Sequence, residues 1–532
     1  MEIDTYLQPS DLVGCRYRLH QRTAYPTAEP TAATISRRIR LDRTRKRVLS
    51  LIPTKPQIGD PKNFLRIDLG RISATQLEYS SRQRAQDLER RWFATLEALA
   101  AGANIITDPV VETRSKIRMD IDALIRRPDG AYMPVVVTNH RVAREDNNRT
   151  VNVIATRRLG LGKANAGNYR LKHHAVDSYT LALSVAALDE LGVGVERGVL
   201  IGQNHELAFI VDTSLFRQGL NQALMVETPT TALRVKDCAS CRYWSYCHAE
   251  LQERDDISLL FSGDKGARFR DIGFPTVSAL ARVEPPYAHI SRDDIVLARA
   301  YTKDIALVKR NSTITAPKFD IEIDIDVEAY LDQGAYLWGA FDGQKYHPFV
   351  TWNELGSLAE AKNFARFWSW LKTKRRQAHD AGKSIGIFCY SNHGENHWLR
   401  FSARRFYAKY RDQIPELPSE SEVAQFINSP EWIDVFALVR AQLLGVHGLG
   451  LKVVAPAAGF SWEEDEVDGE ASVGLYLAAT GAVLKGDIPI TTALVDAQAA
   501  LLSYNGDDCR ATRAVRHFLV AGAPGVPTAT EL

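Results

Sequence analysis

From Pro317 to Gly343 the chain reads "PKFDIEIDIDVEAYLDQGAYLWGAFDG", with polar and apolar positions alternating on either side of a short polar break. That period of two predicts a pair of strands joined by a turn. Residues 117–130, "IRMDIDALIRRPDG", alternate in the same way and end in a Pro-Asp-Gly turn, after which "AYMPVVVTNHR" (131–141) predicts the next strand. By contrast "HHAVDSYTLALSVAALDELG" (173–192) reads as a helix. The stretch "AGKSIGIFCYSNHGENHWLRFSARRF" (381–406) predicts a buried strand, a polar turn and a helix with Glu395 near its start. Between these regions, roughly 256–316, two short helical patterns lie around glycine-rich turns, similar to helix-hairpin-like phosphate-binding segments, a pattern that the packing of two domains would also produce. Near the end lies "SYNGDDCRAT" (503–512), expected to open a helix at Tyr504. Positions i and i+4 share a helix face, so the Tyr504 hydroxyl and the Asp508 carboxylate are expected to meet in one small volume, a candidate metal site.

The length of 532 residues implies a multidomain α/β chain. Hydrophobic residues make up 45% and charged residues 24%, enough apolar material for folded cores and not the composition of a disordered chain. No apolar run approaches 18 residues and the first residues lack the regions of a secretory signal, so a cytoplasmic protein with no membrane partner is expected. A net charge of +2 does not by itself identify nucleic acid as a partner. The basic run "SRRIRLDRTRKR" (36–47) would suit a phosphate backbone or a solvated, mobile loop face.

Three of the six cysteines form "CASCRYWSYC", a Cys-x2-Cys-x5-Cys cluster of Cys238, Cys241 and Cys247. Thiolates at this spacing suit a soft metal or a cluster. Cys15 is the natural fourth ligand, and zinc held with His248 is the alternative. With "PSDLVGCRYRL" (Pro9 to Leu19) read as an opening helix carrying Cys15, residues 1–255 resemble the iron-sulfur branch of RecB-like nucleases, seen in AddB-type proteins. The resemblance implies a PD-(D/E)xK fold and a 4Fe-4S cluster on Cys15, Cys238, Cys241 and Cys247. It also implies an acid-x-lysine pair after the strand acid Asp122, but here those positions are Val136 and Thr138. Neither side chain can replace a carboxylate ligand or a cation, so this site is expected to be degenerate. The matching helix offers Thr180 and Ser184 where a Gln and a Tyr are expected, and Glu89 is the candidate helical acid.

In the C-terminal third, Asp320-Ile321-Glu322 on the first strand, Glu395 at a strand-to-helix junction and Tyr504-x3-Asp508 on the late helix resemble, in that order, the tyrosine-containing class of DEDD exonucleases, of ribonuclease H-like fold. The stretches "GLKVV" and "YNGDDCRAT" bring residues 317–532 closest to the YprB-like domains. The resemblance implies that Asp320, Glu322 and Asp508 hold Mg2+ or Mn2+, with Glu395 as the remaining acid and Tyr504 aiming the attacking water. Lys452 and Ser472 are neighbours suited to phosphate or substrate. The whole arrangement, divided at 1–255, 256–316 and 317–532, is similar to a family of RecB-like nucleases that occur with superfamily 1 helicases. No Walker A motif is present, so a helicase would be a separate partner. The expected function is a metal-dependent 3′-5′ exonuclease acting on single-stranded or end-containing DNA in repair or recombination, its N-terminal domain inactive and DNA-guiding. A non-catalytic DNA-binding repair scaffold is the competing expectation, and RNA as substrate stays open.

Overall fold

The computed structural model describes residues 7–56, 63–72, 81–284, 289–331, 333–462, 469–481 and 490–532. The chain divides into two compact units, Met1–Gln252 and Glu253–Leu532. No helix among the described residues is long and apolar enough to cross a membrane.

The N-terminal unit is built on an eight-stranded mixed sheet whose centre is formed by Ala123–Arg126, Tyr132–Val137 and Arg197–Ile201. The period of two sorts the side chains: Val135 and Val137 pack with Val48 and Ile52, while Val136 faces Leu181 and Leu188 of the helix Ala175–Glu190. Both faces are therefore buried, as the continuous run "MPVVV" requires. The basic run 36–47 is not a loop but lies within the helix Ala32–Leu51, capped by the Thr31 hydroxyl. Nor is Pro9 to Leu19 one helix. A 3₁₀ turn at Pro9–Leu12 stops before Gly14, whose φ of 73° breaks the helical path, and a new helix begins at Arg18. Cys15 lies in the link between them.

In the C-terminal unit the short helices Asp264–Asp271, Val277–Ala281 and Arg292–Thr302 form a small core of their own around Ile257, Phe269 and Ile295. The main sheet has five strands in the order Tyr346–Val350, Gly334–Phe341, Ile321–Tyr330, Ile385–Cys389, Trp432–Asp434. The first three are antiparallel and the last two run parallel to Ile321–Tyr330. Helices Leu358–Asp380 and Asn392–Tyr410 cover one face, against Ile323 and Ile325. The opposite face carries Glu322, Asp324, Asp326 and Glu328 at alternate positions.

This acidic face is met by the helix Ile490–Val520, which passes through Tyr504 without interruption, so Tyr504 lies mid-helix and does not open one. Arg516 anchors it. Its Nε and Nη2 donate to the two oxygens of Asp324 at 2.7 and 2.9 Å, its Nη1 lies 3.0 Å from Glu322, and its guanidinium stacks 3.8 Å from the Phe388 ring centroid. Arg516 and Asp324 are both essentially excluded from solvent. Removing Arg516 takes the two-nitrogen partner from a buried carboxylate and leaves it Arg513, whose Nη1 lies 3.3 Å away. Arg516→Met is accordingly expected to cost about 3–5 kcal/mol of stability in urea denaturation, and Arg516→Met with Asp324→Leu distinctly less.

Candidate metal centre

Eight residues of helix rise about 12 Å and four residues of strand about 13 Å. With Arg516 docked on Asp324, the helix position eight residues earlier is therefore level with the strand position four residues later. Those positions are Asp508 and Glu328. The carboxylate oxygens of Asp326, Glu328 and Asp508 all lie within 4.8 Å of one another, and among the described residues no other set of three or more His, Cys, Asp or Glu ligand atoms converges so closely.

The surroundings hold each acid in place. Asp508 Oδ1 accepts from Trp462 Nε1 at 2.8 Å, and its carboxylate also hydrogen-bonds the Tyr504 hydroxyl, so the expected meeting of i and i+4 is realised. Asp326 Oδ2 accepts from Asn505 Nδ2 at 2.6 Å, and Glu328 is bonded by the Tyr336 hydroxyl. Lys452, on the helix Leu451–Ala457, places its ammonium 5.1 Å from the Tyr504 ring centroid and 5.7 Å from that of Trp462. Ser472 is buried on the helix Gly469–Ala479. Glu395 sits in the first turn of Asn392–Tyr410, following Ser391, whose φ of 74° turns the chain out of the strand Ile385–Cys389. It is buried, its Oε2 has no hydrogen-bond partner, and its charge reaches Asp326 and Glu328.

Packing these acids together raises the cost of ionising them. Burial, then the neighbouring charge of Asp508, pushes Glu328 up to about 8. Burial raises Glu395 to about 8 as well, and Asp434 adds to it. Asp326 is held well above the ordinary carboxylate range by burial and by Asp508, Glu328 and Glu395. Asp508 rises less, to about 6, because Trp462, Lys452 and Tyr504 favour its charged form against burial. The donor set, three convergent carboxylates and a fourth with an unsatisfied buried oxygen, fits a hard divalent cation.

Residues 319–520 match a family model described as the RNase_H superfamily. The C-terminal domain is ribonuclease H-like. No curated protein and no solved structure matches the chain significantly.

Within the ribonuclease H-like domain the D-x-E pair that meets Asp508 is Asp326 and Glu328, not Asp320 and Glu322. Asp320 is exposed, precedes the strand, and its Oδ2 accepts from the Ser384 amide and hydroxyl at 2.8 and 2.6 Å, which lowers its pKa. Glu322 is taken up by Arg516. At about 3.3 Å per residue, Asp320 is about 20 Å along the strand from Asp326. The sequence contains both D-x-E registers with the same alternation, so pattern alone cannot rank them. The missed signal is the pair of arginines, Arg513 and Arg516, one to two turns beyond Asp508, which neutralise the earlier acids.

In the N-terminal unit, Asp122 Oδ2 accepts from the Val137 amide at 2.7 Å, and Oδ1 lies 2.7 Å from Arg45 Nε and 3.2 Å from Arg71 Nη1. Arg71 also pairs with Asp108 and Asp120, and Arg91 with Asp120 and Asp87. Val136 points into the core, and Thr138 is buried with its hydroxyl 3.1 Å from His140 Nδ1. Thr180 and Ser184 bond back to the Val176 and Thr180 carbonyls of their own helix. Glu89 is exposed, and the buried acid of that helix is Asp87. Cys247 is pushed up to about 12 by burial and then by Cys241, Cys15 and Cys238. No three of their Sγ atoms lie within 4.8 Å, and His248 rests against the Trp244 ring.

Raised carboxylate pKa values have a defined sign. Glu328 and Glu395 titrate near 4 when unfolded and near 8 in the fold. Their contribution to stability is full below pH of about 4 and is lost as pH rises through about 8. In chelator the domain's Tm should fall between pH 5 and pH 8, and added Mn2+ should raise Tm more at pH 8 than at pH 5, because at low pH protons compete for the ligands.

Proposed function

We propose that this chain is a metal-dependent nuclease that degrades DNA from the 3′ end, with its chemistry in the ribonuclease H-like domain. The observation that carries the reading is the convergence of Asp326, Glu328 and Asp508 beside the Tyr504 hydroxyl. These three acids would hold divalent cations, Mg2+ or Mn2+, with Glu395 as the fourth acid. Bound there, the cations supply charge stabilisation for the attacking and leaving oxygens of a phosphodiester. The chain's own groups do the rest. The Tyr504 hydroxyl, bonded to Asp508, is sited to orient a water, and Trp462 and Lys452 keep Asp508 available as a carboxylate. Asp320 and Glu322 have no part in this assignment, since the former is bound by Ser384 and the latter by Arg516.

For the N-terminal unit we propose a RecB-like scaffold that guides DNA without cutting it. Guanidinium groups already neutralise Asp108, Asp120 and Asp122, which supports a site with no metal chemistry. Cys15, Cys238, Cys241 and Cys247 are proposed to hold a 4Fe-4S cluster. The support is that Cys238 and Cys247 both feel Cys15 and Cys241, which places the four side chains in one neighbourhood. A visible iron-thiolate band in anaerobically purified protein, lost in Cys241→Ser, is the expected result, whereas a colourless protein containing one zinc contradicts it. A separate helicase is the proposed partner.

The deciding assay follows end-labelled single-stranded DNA and RNA with Mg2+ or Mn2+. Asp508→Ala should lose more than about a hundredfold in rate, beyond the range of outer-sphere effects, and Asp122→Asn should leave the rate unchanged. Loss in Asp122→Asn alone moves the chemistry to the other unit. Absence of cleavage by the wild type, with DNA binding retained, favours a repair scaffold, and cleavage of RNA alone replaces DNA as the substrate.

A further inference from the structure

The turn "YNGDD" does more than bring Tyr504 and Asp508 together. Asn505 is fully buried, and both ends of its amide are used. Its Nδ2 donates to Asp326 Oδ2 at 2.6 Å, and its Oδ1 accepts from the Tyr346 hydroxyl at 2.6 Å. A carboxylate that holds a cation is ionised and only accepts, so with metal bound the nitrogen faces Asp326 and the oxygen faces Tyr346, the orientation already present here. The side chain thus has a single orientation, fixed by the groups at its two ends.

The neighbouring sequence makes room for this arrangement. Gly339 is the cross-strand partner of Asp326, and a Cβ there would overlap Asn505 Oδ1. Gly506 occupies the middle of a 31-residue helix, where glycine costs about 1 kcal/mol relative to alanine. A Cβ on it would meet the Tyr346 ring at 3.4 Å. Gly339 is therefore the position that a side chain could not share with Asn505, while Gly506 lies within ordinary contact distance of the Tyr346 ring.

We propose that Asn505, oriented by Tyr346, is a positioning residue that occupies Asp326 Oδ2 and leaves Oδ1 as the oxygen offered to a divalent cation. The proposal rests on the reading of Asp326, Glu328 and Asp508 as a metal site and deepens it. A ligand with one oxygen tied to a fixed amide resists rotation and presents its other oxygen in a set direction, so the cation is met by ligand oxygens already aimed at it. Groups that orient metal ligands in this way are typically worth about 10- to 100-fold in metal affinity. A purely structural Asn505, tying helix to strand, would stabilise the fold without setting that affinity.

Mn2+ binding to the full chain, followed by the loss of the free-ion electron paramagnetic resonance signal, separates the two. The relevant sites are those lost in Asp508→Ala. Asn505→Ala should weaken them about 10- to 100-fold, Tyr346→Phe should weaken them in the same direction, and Tyr346→Phe should add nothing in the Asn505→Ala background. Affinity for single-stranded DNA in chelator should not change. Unaltered Mn2+ affinity in a folded Asn505→Ala protein overturns the proposal. If Asn505→Ala does not fold, unaltered affinity in Tyr346→Phe overturns it instead. A wild type without Mn2+ sites removes the metal-site reading itself, a different result from wild-type binding that survives the substitutions.

Discussion

A buried guanidinium locked on a buried carboxylate sets the register on which the candidate site depends. The strand Ile321–Tyr330 offers four acids on one face, and in isolation they are equivalent. Arg516, bound through two nitrogens to Asp324, pins the C-terminal helix to that face and takes up Glu322 as well. Helix rise and strand rise then bring Asp508 level with Glu328. The same contact divides the strand's acids into two pairs. Those nearer its start are neutralised by arginine, and those further on have other acids, a few hydrogen-bond donors and the more distant charge of Lys452 around them.

That division explains why the site is electrostatically unfavourable as it stands. Nearby cationic support comes from Lys452, whose effect is felt at Asp508 and Glu328, while burial and mutual repulsion act on all the acids. A fold keeps such an arrangement when the charges serve a ligand. The contrast lies within one chain, because Asp108, Asp120 and Asp122 of the N-terminal unit also lie near one another but are paired with Arg45, Arg71 and Arg91. There the compensating charge is built into the protein. At Asp326, Glu328 and Asp508 the chain supplies less, the charge of Lys452, and the acids stay raised.

Much of the fold was legible from period alone. The strands at Ile321–Tyr330, Gly334–Phe341 and Ile385–Cys389 and the helix carrying Glu395 follow from alternation and from the polar turn between them. The i, i+4 meeting of Tyr504 with Asp508 was legible for the same reason, since it is local geometry. The choice between Asp320-x-Glu322 and Asp326-x-Glu328 was not, because it depends on where a helix nearly 180 residues away docks. Asn505 escaped notice because its partners, Asp326 and Tyr346, come from two different strands. Helix boundaries were least legible: nothing in "LLSYNGDD" marks Tyr504 as interior, and Gly14 divides what the pattern at Pro9 to Leu19 suggested was one helix. The basic run 36–47, left open between a phosphate-following patch and a solvated loop face, hid its helix because its charges mask the periodicity of Ala32–Leu51.

The central claim is that cations bind at the later pair of strand acids. Anomalous diffraction from a crystal of the full chain soaked in Mn2+ tests it most directly. The account predicts a peak ligated by Asp326, Glu328 and Asp508, and a peak at Asp320 and Glu322, or no peak in the ribonuclease H-like domain at all, would contradict it.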